Sequence, residues 1–224
     1  MLQLQEMRYS YKDGFSINAT ALNINAGEIS CLLGKNGSGK STFIKNLVGV
    51  IEAHRLVVSP ELTKQANSKI FSVMLEGEDV LNPNLTIQYN AEYVSVLNSG
   101  SINKDDIANF AKELGITDLM DKVVKKLSTG QKRLASILSL ISSNPSILIM
   151  DEPTLGLDLQ SIEKVKALLI SLKKSGMTIL FTSHDAEFVK DISDSIFHIA
   201  NGYVSNKMAC SENIDHVLEG IRYG

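Results

Sequence analysis

Three clusters of residues have types and spacings that could do chemistry. The first is LLGKNGSGKST, Leu32 to Thr42, with three glycines and two lysines directly after the apolar stretch EISCLL. Glycine is costly inside a helix or strand, so such a cluster serves backbone shape or the close approach of a ligand. Gly34-Lys35-Asn36-Gly37-Ser38-Gly39-Lys40-Ser41 satisfies the pattern G-x-x-x-x-G-K-[ST] between an expected strand and an expected helix. A loop of this kind curls so that backbone N–H groups converge on phosphate oxygens, and the positive end of the next helix adds to the attraction. Lys40 would reach the β- and γ-phosphates, and Ser41 would offer its hydroxyl to Mg²⁺, which prefers hard oxygen ligands. The motif specifies a nucleoside triphosphate but not the work done with it.

The second cluster is ILIMDEPT, in which four apolar residues run into Asp151 and Glu152. Charged groups at the end of a buried strand are expensive unless employed. Asp151 is suited to hold Mg²⁺, directly or through water, and Glu152 to take a proton from an attacking water. The third is LSTGQKR, with Ser128 and Gly130 at the expected start of a helix. Serine and glycine there expose N–H groups to an anion, although the stretch read alone is an ordinary capped helix.

These groups need elements to position them. LQLQEM and FSINATALNIN alternate apolar and polar residues, which predicts antiparallel strands joined by a turn at YSYKDG. EISCLL reads as a buried strand, and Ile44, Leu47, Val48 and Ile51 recur at helical spacing after Lys40. From LNPNLTIQYNAEYVSVL through DIANFAKELGI to RLASILSLI the pattern is helical, with Leu134, Ile137, Leu138 and Ile141 on one face. After Pro145 the period changes: SILIM is a strand, SIEKVKALLISLKK a helix ended by Gly176, and TILFT a strand. DAEFVKDIS follows as a helix and SIFHIANGYVS as a hairpin with an Asn-Gly turn. Strands alternating with helices argue for an α/β core, interrupted by a helical insertion at about residues 80 to 143.

Composition sets the bounds. A chain of 224 residues accommodates one large domain, or a core with a subdomain. It contains no run of about eighteen apolar residues, so a membrane role would come through a partner. MLQLQEMRYS lacks the apolar core of a signal peptide, and Cys31 and Cys210 sit singly, which favours a reducing, cytosolic setting. A net charge of −3 with interspersed signs gives no basic stripe, so direct nucleic-acid binding is not expected.

In this order the pieces resemble the ATP-binding-cassette (ABC) ATPase family. GKNGSGKST is similar to its Walker A loop, LSTGQ to its signature and ILIMDEPT to its Walker B strand with the catalytic glutamate. LGLD, ending at Asp158, is similar to its D-loop, and TSHD presents His184 like its switch histidine. The resemblance implies an α/β fold: a P-loop NTPase core with a small antiparallel β-subdomain and an inserted α-helical subdomain. In this single ABC ATPase domain, residues 1–27 would contribute to the β-subdomain, 28–79 and 144–205 would form the core, and 80–143 the helical subdomain, with 206–224 as a tail.

It further implies that Gly34, Asn36, Gly37, Ser38, Gly39, Lys40, Ser41 and Thr42 bind ATP, and that Glu152, His184 and Lys40 serve catalysis. Ser41 and Asp151 would hold Mg²⁺. A second ABC ATPase subunit, expected to be an identical copy, would complete a head-to-tail dimer in which Ser128, Thr129, Gly130 and Gln131 touch the partner's nucleotide. An aromatic residue of the early turn, Tyr11 or its competitor Tyr9, would stack on adenine. The sequence departs from the family where a glutamine usually follows the strand matching KIFSVM; Glu76 and Glu78 are the candidates there, Glu76 as a metal ligand. Thr129 stands in place of a signature glycine, and the stretch before Lys69 is short. The implied function is an ATP-hydrolysing subunit that drives separate transmembrane permease subunits from the cytoplasmic face of the membrane, with export favoured. The alternatives are a soluble ABC mechanoenzyme acting on nucleic acid or the ribosome, and a module that holds ATP without cleaving it.

Overall fold

Five apolar stretches build a parallel sheet that carries everything else. The computed structural model describes residues 2–4, 7–10, 16–19, 22–49, 56–58, 71–77 and 80–210. Its strands are β1 (Leu2–Leu4), β2 (Met7–Ser10), β3 (Ser16–Ala19), β4 (Leu22–Ile24), β5 (Ile29–Leu33), β6 (Leu56–Val58), β7 (Phe71–Met74), β8 (Ile147–Met150), β9 (Thr178–Ser183), β10 (Ser195–Ala200), β11 (Tyr203–Val204) and β12 (Met208–Ala209). The helices are α1 (Lys40–Leu47), α2 (Ile87–Ser99), α3 (Lys104–Leu114), α4 (Thr129–Ile141), α5 (Leu159–Lys174) and α6 (Ala186–Ile192). The order β10-β5-β9-β8-β7 is parallel throughout. Parallel sheets are covered on both faces, which is why β5, β8 and β9 are buried along their whole length.

Period-2 alternation sends neighbouring side chains to opposite faces. Cys31, Leu33, Leu148, Met150, Ile179 and Phe181 join one apolar cluster with residues of α2 to α6. Leu32, Ile147, Ile149 and Leu180 join another with Phe43, Ile44 and Leu47 of α1. Within the first cluster, the Phe181 and Phe188 rings meet edge to face with centroids 5.4 Å apart. Thr86, Asn103, Ser128, Asp158 and Asp185 each cap the next helix with a side-chain oxygen.

The first strands differ from the sequence expectation. FSINATALNIN is two strands in two sheets: β3 pairs with β2 and, in parallel, with β11, whereas β4 pairs with β1. The buried positions change phase between Ile17/Ala19 and Leu22/Ile24, and one regular strand cannot keep both pairs on a single face. Tyr9 and Ser10 belong to β2, opposite Ile17 and Ser16, rather than to a turn. The antiparallel sheet β4-β1-β6 takes its third strand from the stretch before Lys69, where no strand was expected. The Asn-Gly hairpin between β10 and β11 forms as expected, with Asn201 at φ 47° and Gly202 at φ 78°.

Candidate active site

The carboxyl ends of β5, β7, β8 and β9 lie along one edge of the parallel sheet, where open α/β sheets place their crevices. A cleft of about 510 Å³ sits there, lined by Asn36, Gly37, Gly39, Lys40, Ser41 and Thr42, with Glu76, Glu152, Leu155 and His184 completing it. Each strand end delivers one part: the glycine loop follows β5, Glu76 follows β7, the acid pair follows β8 and His184 follows β9.

Close packing shapes the loop. A Cβ on Gly34 would stand 2.5 Å from the Ile199 carbonyl oxygen and 2.7 Å from Ser38 Oγ, so β10 can approach only a glycine. Gly37 (φ 80°) and Gly39 (φ 106°) take left-handed backbone that other residues rarely adopt. Gly34 N–H donates to Ser183 O at 3.3 Å and Gly202 N–H to Ser38 O at 3.1 Å, which ties the loop to β9 and to the hairpin. Lys40 Nζ curls back over the loop, donating to Gly34 O at 2.9 Å and Lys35 O at 3.2 Å.

Beside it stands the end of β8. Asp151 is fully buried; Thr182 Oγ1 donates to its Oδ1 at 2.5 Å, and the Glu76 N–H stands 3.5 Å from its Oδ2. Glu152 leaves the strand conformation at φ 48°. Its N–H donates to Thr182 Oγ1 at 2.9 Å, and its carbonyl accepts from Arg133 Nη2 at 2.7 Å. Its carboxylate lies between two cationic or polar groups: Lys40 Nζ is 3.1 Å from Oε1, an ion-pair distance without an aligned hydrogen bond, and His184 Nδ1 is 3.0 Å from Oε2. Burial lowers the Arg133 pKa, an effect opposed by the nearby carboxylates of Glu76, Asp151 and Glu152. The oxygens of Ser41, Glu76 and Asp151 are hard donors of the kind Mg²⁺ takes, and among the described residues Asp151 Oδ2 has only the long contact from Glu76, so the residues fit that cation.

Of the residues expected from sequence, the cleft thus gathers Asn36, Gly37, Gly39, Lys40, Ser41, Thr42, Glu76, Glu152 and His184. Gly34, Ser38 and Asp151 lie buried beneath it. Ser128, Thr129, Gly130 and Gln131 do not line it. Ser128 and Gln131 form a capping box, with Gln131 N–H donating to Ser128 Oγ and Ser128 N–H to Gln131 Oε1. Asp158 caps α5 by accepting from Ser161 N–H at 2.7 Å. Tyr9 is half-buried against the apolar cluster that includes α1, whereas Tyr11 and Glu78 lie outside the described residues. Sequence reasoning missed Leu155, Thr182 and Arg133. For Thr182, a hydroxyl residue closing the run TILFT two positions before the expected histidine was the available signal.

A glycine loop between strand and helix, with a lysine, a buried acid pair and a histidine at the carboxyl edge of a parallel sheet, defines a P-loop nucleoside triphosphatase. The ABC transporter family model matches residues 17–155, more than half of the chain, and the chain belongs to that family. It is 31% identical to the lantibiotic transport ATP-binding protein SrtF of Streptococcus pyogenes, over 97% of this chain and 96% of that protein. It is 30% identical to the energy-coupling factor transporter ATP-binding protein EcfA3 of Clostridium perfringens, over 91% of this chain and 76% of that protein. Among solved structures, cbiO1 from Clostridium perfringens, part of the ABC transporter complex cbiONQ, superposes with a TM-score of 0.76 at 28% identity, covering 99% of this chain and 92% of that one. The chain is an ABC transporter ATP-binding subunit and an ATPase. No helix among the described residues is long and apolar enough to cross a membrane.

Proposed function

We propose that this subunit hydrolyses ATP in the cleft as a dimer with a second copy, and that closing and opening of the dimer drive separate membrane-spanning subunits from the cytoplasmic face. The observation that carries the reading is the meeting of Lys40 and His184 on the two carboxylate oxygens of Glu152, at 3.1 Å and 3.0 Å, beside the glycine loop. Lys40 and the loop N–H groups bind the β- and γ-phosphates. Glu152 takes a proton from water as the water oxygen bonds to the γ-phosphorus and the bond from that phosphorus to the bridging oxygen breaks, leaving ADP and phosphate. His184 holds the Glu152 carboxylate in place. Ser41 and Asp151, with Glu76 beside them, would hold Mg²⁺, which when bound neutralises charge on the phosphate oxygens.

The exposed positions of Ser128 and Thr129, away from the chain's own cleft, support a role for the signature at the partner's nucleotide. A docking face for a membrane-spanning partner is supported by α2, where Tyr89 (62% exposed), Tyr93 (57%), Val96 and Leu97 recur on one face. Export is the direction we assign, supported by the match along 97% of this chain to a lantibiotic transport ATP-binding protein.

The test is purification of the tagged chain from mildly solubilised cells, with the retained proteins identified. A polytopic membrane protein should remain bound and should be lost from the Tyr89→Ser/Tyr93→Ser variant while ATP hydrolysis by the purified chain is unchanged. A ribosomal or nucleic-acid partner instead would overturn the transporter reading. In the same preparation Glu152→Gln should bind ATP and dimerise but hydrolyse it about 100-fold more slowly or worse; parent-like turnover would remove Glu152 as the base.

A further inference from the structure

The geometry points to Thr182 and Arg133 as positioning residues that hold the Glu152 peptide in its left-handed turn and so aim its carboxylate, an inference that rests on the reading of Glu152 as the base. A non-glycine residue at φ 48° is uncommon and persists when its surroundings over-determine it. β8 ends at Met150, so the polar backbone groups of Glu152 lie beyond that strand. Its N–H goes to Thr182 Oγ1 (2.9 Å), and its carbonyl accepts from Arg133 Nη2 (2.7 Å) and from Leu155 N–H (3.1 Å).

The Thr182 hydroxyl has one orientation that satisfies its neighbours. Asp151, as a carboxylate, only accepts hydrogen bonds, so the Thr182 proton points at Asp151 Oδ1 and a lone pair is left for the Glu152 N–H. One fully buried hydroxyl therefore fixes the spacing of the two acidic residues. Arg133 adds a link of another kind. It lies on α4, the helix that Ser128 caps, so a displacement of α4 against the sheet is felt at the carbonyl of Glu152. Contact made at the exposed start of α4 can in this way alter the aim of the base.

The experiment compares Thr182→Val, Thr182→Ser and Arg133→Gln with Glu152→Gln, reading kcat, KM for ATP and thermal unfolding on the purified chain. Arg133→Gln should lower kcat about tenfold or more while KM stays within about threefold, because misplacing a base costs rate rather than nucleotide binding, and Thr182→Val should lower kcat at least as much. Thr182→Ser, which keeps the hydroxyl, should recover most of the turnover. In a Glu152→Gln background Arg133→Gln should not slow the residual rate further, since the group being aimed is gone. A second drop of equal size in that background, or parent-like kcat in Arg133→Gln, would overturn the proposal. Should Thr182→Val fail to fold, Arg133→Gln, whose side chain is only half-buried, decides. A slow Glu152→Gln beside a parent-like Arg133→Gln refutes positioning alone, whereas a parent-like Glu152→Gln refutes the base and the positioning proposal with it.

Discussion

Replacing Lys40 by methionine removes the cation from a pair in which both side chains are buried, 6% exposed for Lys40 and 5% for Glu152. Among the described residues the Glu152 carboxylate then keeps His184 as its hydrogen-bond partner. At 3.1 Å two unit charges attract by about 5 kcal/mol at an effective dielectric near 20, and much of this only offsets the desolvation of the two ions. Removing one partner leaves that desolvation uncompensated, at a cost of about 3 kcal/mol or more. Glu152→Gln is milder: it removes the charge while Lys40 keeps its hydrogen bonds to Gly34 O and Lys35 O, so about 1 kcal/mol is expected. The double variant should lose less than the sum, with a coupling of about 1.5 kcal/mol or more. Guanidinium unfolding of the four proteins without nucleotide measures all three quantities from the midpoints at constant slope. A Lys40→Met loss below about 1 kcal/mol, or single effects that add to within about 0.3 kcal/mol, would refute the view that these buried charges depend on each other.

Gly34→Ala forces a methyl to within 2.5 Å of the Ile199 carbonyl oxygen, so the loop or β10 must shift; a loss of about 1–3 kcal/mol is expected, read as a lower Tm together with weaker ATP binding. An unchanged Tm would show that the loop does not need its glycine there. Glu28 gives a pH dependence. Burial acts to raise its pKa, yet hydrogen bonds from Lys207, Ser195 and the Asn25 N–H outweigh that and leave it below the ordinary carboxylate value. A carboxyl lowered in the folded state adds stability above its unfolded pKa and loses it as pH falls through its folded pKa. The unfolding midpoint should therefore drop on acidification below the ordinary value of 4.5, and Glu28→Gln should flatten that limb of the curve. Parallel acid limbs for parent and variant would rule Glu28 out as a source of it.

The parallel sheet and most of the cleft were legible because their signals are local. EISCLL, SILIM and TILFT are short apolar runs, and the reactive side chains stand at fixed offsets beyond their ends, where a charge or a glycine is conspicuous. What remained hidden depends on which elements meet. Arg133 reads as one more charge on an amphipathic helix until α4 packs near the sheet and brings it to the Glu152 carbonyl. Leu155 reads as an apolar loop residue and is seen as cleft lining only once the turn after Glu152 has formed. The division of FSINATALNIN lay in a phase change of two apolar pairs, too short a pattern to outweigh the apparent continuity of the stretch.

The acid pair shows why periodicity cannot supply such detail. In a regular strand Asp151 and Glu152 would point to opposite faces of the sheet, one toward each apolar cluster. The chain instead turns at Glu152, with Asp151 staying fully buried under Thr182 and the Glu152 carboxylate lining the cleft. Adjacent residues of one chemical type thus occupy different surroundings: a hydroxyl and a long contact from an amide N–H for Asp151, and Lys40 and His184 for Glu152. That division follows from the single φ of 48° at Glu152. A substitution that restored extended backbone there, by removing the side chains that hold the peptide, would be expected to impair the site even with both carboxylates still present.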